Sequence, residues 1–302
     1  MDEARLSRRT VLAASMAAAS MPVPALARAP LTAGMVVERM EANIGAPWNS
    51  RGVDGFKSGS ADTVVTGIGT TMMATFDALK AAARQGLNMV ITHEPTYWSH
   101  PDTISVIKDD PLYLRKKAFL EAHDMVAFHF HDNWHALRPV DGINFGTQQL
   151  MGWTGAMHAD NQRMFSIPPT SLLGLARQFE QRMGIRTMRV VGDPALPVST
   201  VYESWGYASL FPGVAFLNSA ADVLVIGEAQ DWDLIGYASD LVASGARKGL
   251  IVLGHVKSEQ WGMRYCADWL RAKVREVPVR YIPLIEPYWS VDHPVLEIDT
   301  RI

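Results

Sequence analysis

The sequence is poor in cysteine: one residue of this type, Cys266, occurs among 302. A single thiol cannot form a disulfide within the chain, and it cannot supply a cysteine-type structural zinc site. Cys266 falls in a helical apolar pattern at residues 261–274, which predicts a buried core thiol and not a nucleophile. A metal site in this chain would therefore use imidazole and carboxylate ligands.

The chain also lacks a long basic run and a strong net charge, which is −3. Nucleic acid and anionic membrane are therefore not expected as partners. The expected partner is a small-molecule substrate. After residue 29 the sequence has no apolar stretch long enough to span a bilayer. The apolar fraction of 48% is ample for a packed core, in one large or two medium domains.

Residues 1–29 have the pattern of an export signal. Arg8 and Arg9 precede a small-residue apolar stretch at 13–19, and Ala25 and Ala27 form a cleavage signature, with cleavage expected after Ala27. The adjacent arginines favour the twin-arginine route and predict a periplasmic protein. An ordinary Sec signal or a cytoplasmic N-terminal helix is the alternative.

The remaining chain alternates short apolar runs with helical patterns, which is typical of an α/β fold with mostly parallel sheets flanked by helices. The predicted strands are at residues 64–68, 88–92, 125–131, 187–191, 200–203, 222–228, 249–253 and 279–282. The segments 45–60 and 154–169 are expected to be irregular. We predict two related α/β halves, at 30–152 and 153–302.

Two look-alike segments, 84–94 and 247–259, suggest where the two halves meet. Each passes through a glycine into an apolar run that ends on a histidine with a carboxylate close behind. A third apolar run, at 125–128, is followed by more such side chains. The carboxyl ends of parallel strands gather at one edge of a sheet, so we expect a metal site there, between the halves. The candidate ligands are His93, Glu94, His131, His135, His255 and Glu259.

Imidazole and carboxylate ligands suit Zn, Mn, Fe, Co or Ni. Six ligands exceed the need of one tetrahedral ion and match two divalent ions that share a bridge. Glu259 is the expected bridging ligand because a carboxylate has two oxygens. Glu228 and Asp132 are the candidate catalytic groups that would orient water or move protons.

Four motifs in this order resemble those of the NGG-interacting-factor-three-like family, the dinuclear-metal-centre proteins also called GTP cyclohydrolase type 2 homologues. They are Thr92-His93-Glu94-Pro95, His131 to His135 followed by Asp141-Gly142-Ile143-Asn144, Ile226-Gly227-Glu228, and Gly254-His255 followed by Ser258-Glu259. The resemblance implies a two-domain α/β fold, a dinuclear metal centre and a ring-shaped homo-oligomer, commonly a hexamer.

The motifs depart from the family pattern at two ligands. The family's second histidine is Glu94 here, and its aspartate falls on His135 if His131 is aligned with its histidine. If His129 is aligned instead, that position is Asn133, with Asp132 beside it. We prefer His131 and His135, because an amide is a poor ligand for these metals.

These observations favour an exported metal-dependent hydrolase whose dinuclear centre activates water. The alternatives are a GTP cyclohydrolase type 2-like activity and a non-catalytic scaffold that binds or stores metal. An enzyme needs an open coordination position, whereas a storage site is closed.

Overall fold

The structure is a computed structural model that describes residues 29–291. The predicted export signal lies outside the described residues, apart from Ala29. The described residues from Leu31 onward form one compact unit. None of the helices between residues 29 and 291 combines the length and apolarity needed to cross a membrane.

Helices and strands alternate along much of the chain. The helices are α1 (Ala33–Asn43), α2 (Phe76–Arg84), α3 (Pro111–Ala122), α4 (Asp132–His135), α5 (Gly142–Met151), α6 (Leu172–Met183), α7 (Leu210–Leu217), α8 (Gly236–Ala243) and α9 (His255–Arg271), with a π-helical turn at Asp231–Ile235. The strands are β1 (Gly55–Ser58), β2 (Ile68–Thr71), β3 (Met89–Thr92), β4 (Val126–His129), β5 (Met164–Ser171), β6 (Arg189–Val191), β7 (Pro197–Tyr207), β8 (Val223–Glu228), β9 (Gly249–Val252) and β10 (Val279–Tyr281).

The strands form two five-stranded sheets, of order β1-β4-β3-β2-β10 and β5-β7-β8-β9-β6. In the first sheet all neighbours are parallel except β1 and β4. In the second, β7, β8 and β9 are parallel and both edge strands are antiparallel. The predicted α/β class with mostly parallel, helix-flanked sheets is thereby confirmed.

Burial explains why apolar runs in the sequence predicted most of the parallel strands. Every residue of β2, β3, β4 and β9 is buried, as expected for strands covered by helices on both faces. Three of these strands, β3, β4 and β9, are largely apolar, and the turns after them carry the predicted ligands.

Helix α9 packs against both sheets and against α5. Two glycines allow α5 and α9 to approach closely: a Cβ on Gly146 would lie 2.3 Å from the carbonyl oxygen of Trp261, and one on Gly262 would lie 2.4 Å from the Cα of Ile143. Because α9 begins at His255, this packing fixes the position of a predicted ligand.

Several predicted elements were wrong. The segments expected to be irregular contain β1 and β5, and the strand expected at 64–68 is displaced to β2. The helix expected at 261–274 begins six residues earlier, at His255. The last strand, β10, lies beside β2 in the first sheet although it follows the second half in sequence. Apart from β10, the predicted boundary at 152/153 separates the strands of the two sheets. That it is a domain boundary stays a prediction.

Candidate metal centre

The end of β3 delivers the first two candidate ligands. His93 follows Thr92 directly and is fully buried, while Glu94 is partly buried. The backbone N–H groups of both residues donate to carbonyls at the end of β2, His93 to Thr71 and Glu94 to Met72. These bonds hold the chain beyond the strand, so the two side chains are fixed by the sheet.

The segment after β4 carries two more candidate ligands. His131 precedes α4 and His135 ends it, so the four-residue spacing places both imidazoles on one side of a single helical turn. The carboxylate of Asp54 organises this turn by accepting from the backbone N–H groups of His131, Asp132 and Asn133.

The alternative alignment would make His129 and Asn133 the candidate ligands, but both side chains bond with other groups. His129 is buried elsewhere: its Nε2 lies 2.9 Å from the carbonyl oxygen of His93, and its Nδ1 lies 3.2 Å from a carboxylate oxygen of Asp102. The amide of Asn133 bonds with Asp54 and Asn49.

The N-terminus of α9 carries the last two candidate ligands. His255 and Glu259 are four residues apart on its first turn, and their facing atoms, Nε2 and Oε2, are 3.1 Å apart. The chain enters this helix through Gly254, whose φ of +89° favours glycine.

The six candidate ligands converge. Besides the contact within α9, His255 Nε2 lies 3.3 Å from Glu94 Oε1, and His93 Nε2 lies 3.6 Å from Glu259 Oε2. His131 Nε2 lies 3.8 Å from Glu94 Oε1. The rings of His93, His131 and His135 pack on one another with centroids 4.5–4.9 Å apart. Two atoms bound to one ion at 2.0–2.2 Å would lie about 3–3.6 Å apart, so most of these separations suit shared coordination.

Several buried atoms of the cluster have no hydrogen-bond partner, namely both ring nitrogens of His93 and Oε2 of Glu259. Leaving such atoms unpaired costs free energy, and metal coordination would satisfy them. Donor type and burial therefore fit divalent cations.

Carboxylates outside the cluster orient three of the imidazoles. The Nδ1 atom of His255 lies 2.9 Å from Glu228, that of His131 lies 2.9 Å from Asp132, and that of His135 lies 2.7 Å from Asp141. Each pair directs the opposite Nε2 toward the cluster and raises the basicity of the imidazole as a ligand. The predicted catalytic groups Glu228 and Asp132 thus both contact candidate ligands. Asp141, which sequence reasoning placed in a motif without a role, belongs to the same set.

The surroundings shift the pKa values of the imidazoles in opposite directions. Burial lowers the pKa of His93 well below its usual value, and neighbouring histidines lower it further. Burial also lowers the pKa of His255, but Glu228, Glu259 and Glu94 outweigh it and raise the pKa to about 12. Burial opposes protonation of His135 too, yet Asp141 raises its pKa to about 9. The carboxylates thus stabilise positive charge at His255 and His135, whether a proton or a metal ion carries it.

A β-bulge in β7 makes room for Glu259. The β7–β8 register shifts between Ser204 and Tyr207, and Gly206 within the bulge has a φ of +70°. A Cβ on Gly206 would lie 2.6 Å from Glu259 Oε1, and the Gly206 N–H donates to the Ser258 hydroxyl. Bulges often re-aim groups beside functional sites, and this one lets the backbone contact the candidate bridging carboxylate.

Glu203, in the same strand, is a buried carboxyl group that sequence reasoning missed. It is 4% exposed, and burial raises its pKa to about 8 although Arg163 opposes the shift. Near neutral pH the native state therefore keeps a proton that an unfolded glutamate, with a pKa near 4.5, has lost.

We expect this group to make stability fall with rising pH. Between a pKa near 4.5 and one of about 8 the native state binds more protons than the unfolded state, so stability is lost across this window. The limiting slope is about 1.4 kcal/mol per pH unit. Glu203→Gln should lack this contribution, so its stability relative to wild type should rise from pH 5 to pH 8 in urea denaturation with chelator present. Glu38→Gln, on the exposed side of α1, is the control, and a pH-independent difference for Glu203→Gln would contradict the assignment.

Comparisons with known proteins identify the family of the chain. The model of the family described as Duf34/NIF3 (NGG1p interacting factor 3) matches residues 37–286. The chain belongs to the Duf34/NIF3 family. The resemblance read from the sequence motifs is thereby confirmed.

Individual relatives are distant. A GTP cyclohydrolase 1 type 2 homolog of Clostridium perfringens is 22% identical over 215 residues, which cover 68% of this chain and 78% of that protein. A hypothetical protein of Staphylococcus aureus, SA1388, superimposes with a TM-score of 0.69 at 16% identity, covering 87% of this chain and 100% of that one. A Bacillus cereus protein related to NIF3 has a TM-score of 0.67 at 14% identity, with the same coverage. At these identities the structural likeness shows the fold alone.

Proposed function

We propose that this chain is an exported metal-dependent hydrolase whose clustered side chains hold two divalent ions. The observation that carries the proposal is the convergence of four imidazoles and two carboxylates around buried atoms without hydrogen-bond partners. The proposed ligands are His93, Glu94, His131, His135, His255 and Glu259. The ions would come from Zn, Mn, Fe, Co and Ni, which imidazole and carboxylate ligands suit.

Charge balance supports two ions. The two ligand carboxylates offset half of a total charge of about +4, and Glu228, Asp132 and Asp141 behind the imidazoles carry enough negative charge to offset the rest. When bound, such ions supply a water of lowered pKa and polarise an acyl, phosphoryl or cyclic amide-like oxygen.

The chain's own residues orient the site and handle protons. Glu259 is the proposed bridging ligand because a carboxylate has two oxygens, and its side chain lies between His93 and His255. Glu228 is half exposed while it bonds with His255, so it is the carboxylate placed to pass a proton to solvent. Asp132 and Asp141 hold the His131 and His135 rings in place.

Export by the twin-arginine route and a homo-oligomeric ring remain part of this proposal. They rest on the residue pattern at 1–29 and on the family resemblance. The name of the Clostridium perfringens relative suggests a second candidate activity, a GTP cyclohydrolase type 2-like reaction. A periplasmic location argues against that substrate, because nucleoside triphosphates are scarce outside the cytoplasm.

An activity screen separates the candidates. The chelated protein would be reloaded with each of the five metals and assayed with carboxylic esters, phosphoesters, lactones and GTP. We expect metal-dependent hydrolysis in one of the first three classes, and its loss in Glu259→Gln, which keeps the side-chain size but removes the charge. Turnover of GTP would favour the cyclohydrolase, whereas tight metal binding without turnover of any substrate would favour a storage scaffold.

A further inference from the structure

The loop after Glu94 bends back over the cluster and carries a histidine that none of the motifs contains. This loop spans residues 95–104, and two of its residues other than glycine, Trp98 and Asp102, have positive φ angles of 64° and 57°. Such conformations are uncommon outside glycine and persist where the surroundings enforce them.

Buried contacts enforce this conformation from two sides. The Lys116 ammonium group donates to the carbonyl of Thr96 at 2.6 Å and lies 4.6 Å from the centre of the Trp98 ring. The Asp102 carboxylate accepts from the Tyr97 N–H at 2.6 Å and lies 3.2 Å from Nδ1 of buried His129. His129 in turn contacts the His93 carbonyl, so the loop is tied to the strand end that carries two candidate ligands.

The loop places His100 at the cluster. Its ring centre lies 4.6 Å from that of His131, nearly perpendicular to it, and its Nδ1 lies 3.7 Å from Glu94 Oε2. One ligand atom each of Glu94, His100 and His131 lies within 4.8 Å of the others. That spacing is wider than the separation of atoms on one ion, but small side-chain movements would bring the three groups to a shared ion.

Glu94 has an oxygen available for this arrangement. Its Oε1 faces His255 and His131, whereas its Oε2 faces His100. His131 is oriented by Asp132 through Nδ1, which leaves Nε2 as its ligand atom. His100 is half exposed, so this ion would lie on the solvent side of the cluster, with His93 and Glu259 on the buried side.

We propose that His100 is a seventh ligand, which together with Glu94 and His131 binds the outer of two divalent ions. The inference rests on the proposed function, because it assumes a metal centre. An imidazole delivered from a loop can leave the ion without unfolding a strand or helix. His100 would thus be the displaceable ligand that opens a coordination position, as a catalytic site requires.

Cobalt titration tests the role of His100 without an activity assay. Metal-free wild type, His100→Ala and the control His158→Ala would be titrated with Co²⁺ while visible absorption and bound metal are recorded. His158 is partly exposed, and its ring bonds with the Ser166 hydroxyl outside the cluster. We expect the second binding step of His100→Ala to weaken by about tenfold or more, with an altered spectrum, while the first step stays as in wild type. His158→Ala should match wild type in both steps.

The outcomes separate this inference from the proposed function. Two unchanged binding steps and an unchanged spectrum in His100→Ala would overturn the ligand assignment while the metal centre stands. A wild-type protein that binds no Co²⁺ would overturn both. Because His100 is half exposed, the variant should fold, and equal thermal unfolding of the chelated proteins would confirm it.

Discussion

His255→Ala is expected to lose at least one of two bound ions. The His255 imidazole lies between Glu94 and Glu259, with Nε2 within 3.3 Å of an oxygen of each. Alanine would remove a ligand and leave two carboxylates facing each other without the neutralising group. We expect affinity for the ion at this position to fall by about 100-fold or more. Removing a group that only hydrogen-bonds to a metal ligand typically lowers affinity by about 10- to 100-fold, and loss of the ligand itself should cost more. Elemental analysis after gel filtration would measure the loss.

Two further variants make that result specific. Glu228→Gln removes the charge behind His255 but keeps the imidazole, so it should weaken metal binding less than His255→Ala does. His123→Ala removes an exposed histidine that bonds with the Phe119 carbonyl, and it should keep full stoichiometry. Full stoichiometry in His255→Ala would contradict the ligand assignment.

Gly262→Val is expected to cause the largest loss of stability. A Cβ at this position would lie 2.4 Å from the Cα of Ile143, so neither backbone can yield without moving α5 away from α9. Overpacking of this kind typically costs 1–3 kcal/mol, and we expect about 3 kcal/mol or more because backbone must move. Since α9 carries two of the proposed ligands, the variant should also bind metal more weakly. Urea denaturation would give the loss in unfolding free energy.

Gly236→Ala is the matched control. Gly236 begins α8 with a helical φ of −58°, and an added Cβ would lie no closer than 3.5 Å, from the Asp231 carbonyl oxygen. Alanine there should be neutral or stabilise by up to about 1 kcal/mol. Equal urea midpoints for Gly262→Val and wild type would refute the close packing of α5 on α9.

The sequence predicted which side chains would converge because these side chains follow short, fully buried strands. An apolar run that ends in His93 and Glu94 shows both the strand and the chemistry at its end. The four-residue spacings of His131 with His135 and of His255 with Glu259 needed only a helical turn to bring each pair together.

Other features could not be read from local patterns. The edge strand β5 contains Pro168 and Pro169, and its register shifts between Ser166 and Thr170, so neither alternation nor propensity marks it. The strand β10 crosses to the first sheet, which no local signal reveals. His100 reaches the cluster through backbone conformations that depend on tertiary contacts with Lys116 and His129.

Anomalous diffraction from crystals of the metal-loaded protein tests the central claim most directly, because it locates ions and identifies the element at its absorption edge. We predict two peaks per chain, each within bonding distance, about 2.0–2.2 Å, of imidazole nitrogens and carboxylate oxygens of the six ligands. A map without peaks among His93, His131 and His255, or with ions bound only elsewhere on the chain, would contradict it.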